Sequence, residues 1–228
     1  MRLFVNGEEM LEKIIKTAER SEKELTFEIG SNSDLILENG ITQNLIWTID
    51  NFKSIKKGKL TFPTKFGNVD ELLSLNHRKK VIIRMSVNPE YIINNVEFGT
   101  SRLDYRIQAI NQLVEAEYEV GILIAPVIFV EDWKKYYHEL IIMLKEKLTE
   151  KAKKLVFFEI IFMTYSYVHN AINEEAFPES IQIYNKEQMT GRGKGKYMYK
   201  KDLRQEGEEF FKRELENNFK NNKIWYIV

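Results

Sequence analysis

Cysteine is absent from this 228-residue sequence, histidine occurs three times and proline four, and neither sign of charge prevails: 34 Lys and Arg stand against 34 Asp and Glu. The missing cysteines exclude a disulfide, a thiol nucleophile, a zinc–thiolate site and a cysteine-held iron–sulfur cluster built from this polypeptide. His77, His138 and His169 lie far apart and lack the close spacing of metal ligands. No apolar run approaches the roughly 18–20 residues that cross a bilayer. The first residues do not read as a secretory signal, since only three apolar residues separate Arg2 from Asn6 and Gly7. These absences lead to the expectation of a soluble, cytoplasmic protein with no membrane partner. What is present is 43% hydrophobic and 30% charged residues, enough apolar material for a core and too much for a disordered chain. The length suits one domain, or one domain with a small appendage.

Apolar, β-rich runs alternate with helical patterns. Strands are expected at residues 3–5, 25–29, 60–62, 81–87, 120–128 and 155–161, with a last one at 224–228. Between them, Met10, Leu11, Ile14, Ile15 and Ala18 share one helical face, as do Leu45, Ile46, Ile49 and Phe52. Further helices are expected at 69–75, after Asn88-Pro89, over Leu103, Ile107, Ile110 and Val114, and over Trp133 to Leu148. Asn6 with Glu9, and Ser101 with Asp104, read as capping boxes, and Asn68 as a helix cap. Such alternation with apolar strands implies a parallel sheet covered by helices, an α/β fold. Residues 166–195 are aromatic and polar without clear period, residues 197–199 read as one arm of a hairpin, and 203–219 as an amphipathic helix. The expected division is residues 1–165 as the β/α core and 166–228 as a C-terminal extension.

Ligand sites in parallel α/β folds form at the carboxyl ends of strands. Those ends carry Gly30-Ser31-Asn32-Ser33-Asp34, then Lys65, then Ser86 and Asn88, then Ala125-Pro126, and Glu159 lies inside a later strand. A lysine beside hydroxyls from two other strands suits a carboxylate or phosphate ligand. The plainer reading makes these residues caps and loop polar groups, and for Asn88 a helix start is preferred. Glu131-Asp132 begins a helix, which the helix dipole explains. Trp133, Tyr165 and Tyr167 read as core or interface aromatics.

Residues 186–204 hold seven basic residues against two acidic ones, with Tyr197 and Tyr199 interleaved. Arg192, Lys194 and Lys196 could meet nucleic-acid phosphates and the tyrosines could stack on bases. A solvated surface loop is the alternative. Gly191-Arg192-Gly193-Lys194-Gly195-Lys196 is not a phosphate-binding loop: the spacing is short, Tyr197 stands where Ser or Thr is required, and no apolar strand precedes it.

Taken together these residues resemble spore photoproduct lyase, a DNA-repair family of the radical S-adenosylmethionine superfamily. Phe27 through Asp34 resembles the family's second barrel strand and turn. Thr64-Lys65-Phe66 with Val69-Asp70, and Arg84-Met85-Ser86-Val87-Asn88, resemble the next two strand ends. Phe98-Gly99-Thr100-Ser101 with Leu103-Asp104 and Arg106-Ile107 is the most specific local match. Ile124-Ala125-Pro126 with Glu131 and Trp133, and Gly195-Lys196-Tyr197-Met198-Tyr199 with Lys201-Asp202, continue the series over about 200 residues. The resemblance implies a partial (β/α) barrel of radical S-adenosylmethionine type, lacking its first strand and cluster loop, with a C-terminal β-hairpin and helix extension. It implies a three-cysteine 4Fe–4S cluster that cleaves S-adenosylmethionine to a 5′-deoxyadenosyl radical, and reversal of a thymine dimer lesion in DNA to two thymines. By position, Ser33, Lys65 and Ser86 would contact S-adenosylmethionine, with Ala125 lining the same pocket. The C-terminal hairpin, with Arg192, Lys194, Lys196, Tyr197 and Tyr199, would enter the DNA beside the lesion.

Three departures from the family pattern stand out. Its cluster-binding Cys-x-x-x-Cys-x-x-Cys loop would fall before Met1, together with the tyrosines that assist radical return. The family's hydrogen-donor cysteine falls at Ser31, and a serine O–H is a far poorer hydrogen-atom donor than a thiol. The family's DNA-side arginine is displaced, with Gly191 and Arg192 in that stretch. The expectation is a lyase-like protein, incomplete or inactive alone, whose N-terminal cluster segment is missing from this reading frame through a split gene that encodes it separately, a frameshift or a miscalled start. A non-catalytic DNA-binding remnant and a decayed fragment are the alternatives.

Overall fold

The computed structural model describes residues 6–30 and 33–228. The strand expected at residues 3–5 lies outside them, as does Ser31.

Helix α1 (Gly7–Arg20) leads into β1 (Leu25–Glu28). Two helices follow, α2 (Leu35–Thr42) and α3 (Asn44–Phe52), then β2 (Gly58–Thr64). A short 3-10 turn at Asp70–Leu72 precedes β3 (Val81–Val87). Helices α4 (Glu90–Asn95) and α5 (Leu103–Glu115) connect to β4 (Glu119–Val127). Helices α6 (Trp133–Lys147) and α7 (Glu150–Leu155) connect to β5 (Phe157–Phe162). Then come β6 (Thr164–Ser166), α8 (Tyr167–Ala176), β7 (Met189–Gly193), β8 (Lys196–Tyr199), α9 (Lys201–Asn218) and β9 (Ile224–Ile227).

Six strands form one parallel sheet in the order β1-β2-β3-β4-β5-β9, and β6-β8-β7 form a small antiparallel sheet. The large sheet curls into a half-barrel. Each strand sends alternate residues to opposite faces. Leu60, Phe62, Ile83, Met85, Val120, Ile122, Ile124, Phe158 and Ile160 face the helices and are buried in a continuous core. On the other face the register aligns Pro63 with Arg84 and Gly121, and Ser86 with Leu123 and Glu159. Charges on that face reach one another across an intervening strand: Lys59 Nζ lies 2.6 Å from Glu119 Oε2, and Arg84 Nη2 lies 2.6 Å from Glu28 Oε2. Side chains two strands apart meet this way on the concave side of a curled sheet.

Several sequence expectations are corrected. Helix α2 is additional; Asp34 caps it by accepting from the Ile36 amide. Asn68 caps nothing, since Val69 is the residue that precedes the 3-10 turn. Asn6 reaches Glu9 with its side chain and makes no cap to the backbone. The Ser101–Asp104 box is absent: Arg102 precedes α5, Ser101 Oγ accepts from the Gly67 amide and Asp104 pairs with Lys147. Helices α7 and α8 are additional too. Helix α8 buries none of its residues, so it leaves no apolar stripe to read. No helix among the described residues is long and apolar enough to cross a membrane.

Candidate functional site

A cavity of 690 Å³ opens at the carboxyl ends of β2, β3 and β4, lined by Ser33, Asp34, Lys65, Ser86, Ala125 and, from the small sheet, Tyr165 among others. That volume lies in the range of small-molecule sites. Four residues picked from strand ends, Ser33, Lys65, Ser86 and Ala125, therefore share one space.

Lys65 is aimed by two sets of contacts. Asp34 accepts from the Lys65 amide at 2.8 Å and from Thr64 Oγ1 at 2.8 Å, which ties the end of β2 to the start of α2. The ammonium donates to Ser86 Oγ (2.9 Å), Glu97 Oε1 (2.5 Å) and the Ala125 carbonyl (3.0 Å). Glu97 is 8% exposed and Arg106 is fully buried, with Arg106 Nη1 lying 2.8 Å from Glu97 Oε2. Burial pushes the Glu97 carboxyl up, but Lys65 and Arg106 beside it outweigh burial and hold it below the usual carboxylate range. Burial draws the Lys65 ammonium below its ordinary value, and Glu97 opposes that shift.

Glu97 escaped the sequence reading, and Arg106 entered it only within a family match, not as a site residue. Arg106 carried a usable signal, since it stands on the same buried helix face as Leu103, Ile107 and Ile110, where an unpaired charge is costly. Asn88 is corrected as well. Pro89 takes the helix-start position, while Asn88 is buried, donates to Glu97 Oε1 (2.8 Å) and accepts from the Tyr137 hydroxyl (3.3 Å).

Deeper in the half-barrel, Arg84 Nη1 lies 3.7 Å from Glu159 Oε2. Burial raises the Glu159 carboxyl, against the pull of Arg84 and of the neighbouring Tyr226 hydroxyl. His169 lies at the rim of the cavity, whereas His138 pairs with Glu214 at 2.7 Å on the surface.

The basic segment forms the β7–β8 hairpin, with Arg192, Lys194 and Lys196 all exposed. Its turn explains the glycines: Lys194 (φ 51°) and Gly195 (φ 70°) both take left-handed conformations, as a two-residue hairpin turn of this hand requires. Tyr197 is half-buried among Tyr165, Tyr167 and Tyr184, with ring centroids 6.1, 5.3 and 5.2 Å away. Tyr199 is corrected as a DNA contact. It is 2% exposed, packs on Phe129 and accepts the Phe129 amide at 3.0 Å. The two tyrosines share one face of β8, and that face runs inward along the strand. Strand β6 joins hairpin to cavity: Tyr165 pairs with Tyr197 and also lines the cavity.

An open, curled sheet of parallel strands with a cavity at their carboxyl ends, apolar-walled with a few polar groups, is the partial barrel of radical S-adenosylmethionine proteins. Within that class, the family model for spore photoproduct lyase matches residues 1–228, and the chain belongs to this family. It is 33% identical over 233 residues to the spore photoproduct lyase of Bacillus subtilis (strain 168), covering 100% of this chain and 68% of the relative. It is 30% identical over 235 residues to that of Clostridium acetobutylicum, with the same shares covered. Among solved structures it is similar to a spore photoproduct lyase complexed with dinucleoside spore photoproduct, at a TM-score of 0.93 and 28% identity over 100% of this chain and 68% of that one. A mutant of that lyase with bound AdoMet and dinucleoside spore photoproduct gives the same TM-score, identity and shares.

The family's two cofactors fit this chain differently. The cavity offers a charged lysine, hydroxyls, a carbonyl and apolar walls, which suits a polar nucleoside carrying an amino-acid group. A 4Fe–4S cluster does not fit, because the sequence has no cysteine and no group of three potential metal ligands converges among the described residues.

Proposed function

We propose that this chain is the cofactor- and lesion-binding scaffold of a spore photoproduct repair protein. Ser33, Lys65, Ser86 and Ala125 hold S-adenosylmethionine in the carboxyl-end cavity, and Arg192, Lys194 and Lys196 hold the phosphates of lesion-bearing DNA beside it. S-adenosylmethionine supplies the hydrogen-abstracting group in this family. The observation that carries the reading is the convergence of those four strand-end residues on one cavity that shares Tyr165 with the hairpin sheet. Residues 1–228 hold no cysteine and so do not ligate the cluster; the ligands that generate the radical come from outside these residues. Lys65 orients an anionic group of the cofactor, Asp34 fixes the β2 end that carries it, and the tyrosine cluster screens the cavity wall from water.

Isothermal titration of the full chain with S-adenosylmethionine, and of a lesion-bearing duplex against an undamaged one, tests this. Binding of both S-adenosylmethionine and the lesion duplex is expected. Binding of DNA without S-adenosylmethionine would leave a second reading, a lesion-DNA binding protein without chemistry, which the exposed basic hairpin favours by itself. Binding of neither would sink both.

A further inference from the structure

The ammonium of Lys65 has three N–H groups and three acceptors: Ser86 Oγ, Glu97 Oε1 and the Ala125 carbonyl. Of these, Ser86 Oγ itself donates to the Ala125 carbonyl at 2.9 Å, so those two satisfy each other if a ligand takes their place on Lys65. Glu97 cannot be displaced so easily. Asn88 Nδ2 holds the same oxygen at 2.8 Å, and Arg106 Nη1 faces the other at 2.8 Å. Arg106 is clamped in turn, donating to the Ser101 carbonyl (2.8 Å), the Ser86 carbonyl (3.0 Å) and Thr100 Oγ1 (2.7 Å). The strand-end lysine is thus braced from behind by a carboxylate that is itself braced by a buried guanidinium.

Charge gives this brace a purpose. Lys65 and Arg106 without Glu97 would be two like charges in a poorly solvated wall, and an amine there sheds its proton. With Glu97 the trio sums to one positive charge, presented at Lys65, the member of the trio that faces the cavity; Asp34, which lines the same cavity with its carboxylate engaged by Thr64 Oγ1 and the Lys65 amide, also favours the ammonium. We propose that Glu97 is a positioning residue that keeps Lys65 protonated and aimed, and that Arg106 acts through it by holding the Glu97 carboxylate ionised and in place, so that the cavity selects a ligand with a single carboxylate. This rests on the S-adenosylmethionine reading and names the group of that ligand which the trio recognises.

The test is a pair of titrations on the full chain, with S-adenosylmethionine and with its decarboxylated analogue, between about pH 6 and about pH 9. The unaltered chain should prefer the carboxylate-bearing ligand by about tenfold or more across that range, the worth of one charge-assisted hydrogen bond. Glu97→Gln should lose the preference at the alkaline end and keep it at the acid end, because Lys65 then deprotonates more readily. Glu97→Asp, which keeps the charge, should restore most of it. A purely structural role would weaken both ligands alike at every pH, and that result would overturn the inference. Heteronuclear NMR of the labelled Lys65 ammonium gives a second reading without any ligand. In the unaltered chain it should remain protonated at about pH 8. Loss of the proton nearer neutrality overturns the inference even if the Glu97 variants fail to fold. If the unaltered chain binds neither nucleoside, the S-adenosylmethionine reading falls, and positioning is judged by NMR alone: an ammonium titration unmoved in Glu97→Gln overturns it, and one moved to lower pH supports it.

Discussion

Asp34 holds two pieces of chain in register through three donors: its carboxylate accepts from the Ile36 amide at the start of α2 and from Thr64 Oγ1 and the Lys65 amide at the end of β2. Asp34→Ala should cost about 1–3 kcal/mol, the sum of a lost cap and a half-buried amide left without its acceptor. Chemical denaturation measures this, and a change within error would show that the clamp contributes nothing. Glu159 gives a prediction with a definite sign. Burial raises its carboxyl, so the folded state holds the proton to higher pH than the unfolded state does. Its contribution to stability is fully present in acid and is lost as the pH rises through the raised value. Glu159→Gln removes that loss, while Arg84 keeps its contact with Glu28. The variant's melting temperature should therefore gain on that of the unaltered chain between about pH 5 and about pH 8, a trend that differential scanning calorimetry would reveal or refute. Neither effect is legible in the sequence, because an acidic residue inside an apolar strand and a polar residue after a strand say nothing of their partners.

Helix α9 lies against the half-barrel at Gly207, where an added Cβ would stand 2.6 Å from Phe129 Cζ and 2.8 Å from Phe162 Cε1. Gly207→Ala should destabilise by about 1–3 kcal/mol through overpacking, although alanine favours the helix by up to about 1 kcal/mol. A raised melting temperature would show that the ring pair yields. The β7–β8 hairpin makes the opposite kind of element, held by its turn and exposed at its charges. Lys194→Glu with Lys196→Glu should lower the affinity for duplex DNA, with the slope of log affinity on log salt falling by roughly one for each phosphate contact removed. Titrations at several salt concentrations read that slope, and an unchanged slope would remove the hairpin from the interface. Strands β1 to β5 and helices α1, α3, α5, α6 and α9 were legible because each shows its apolar period plainly. Helix α2 was hidden by its internal Asn39-Gly40, which imitates a turn. Helix α8 buries none of its residues, so its place outside the core was not legible either.

At the scale of the molecule, strand–helix alternation was enough to predict a parallel sheet, and strand ends were enough to collect the residues of one cavity. The partners of buried Arg84 were not predictable, since β3 reads as an almost continuous apolar run and Glu28 and Glu159 come from distant segments, whereas Arg106 pairs with Glu97 from the segment just before its own helix. The curl of the sheet then has a consequence for how this protein can change. Positions 60, 62, 83 and 85 carry the packing, and positions 59, 61, 63 and 84 face the lumen on the same strands. Stability and chemistry are thus written on alternate letters of the same words. A deep mutational scan read by proteolytic resistance should show an alternating tolerance along β2, half-buried Lys59 and Pro63 accepting substitutions that buried Leu60 and Phe62 reject, and none along β3, which is buried on both faces. New binding specificities could then be selected in the lumen by randomising the half-buried positions of β2, with the scaffold left standing.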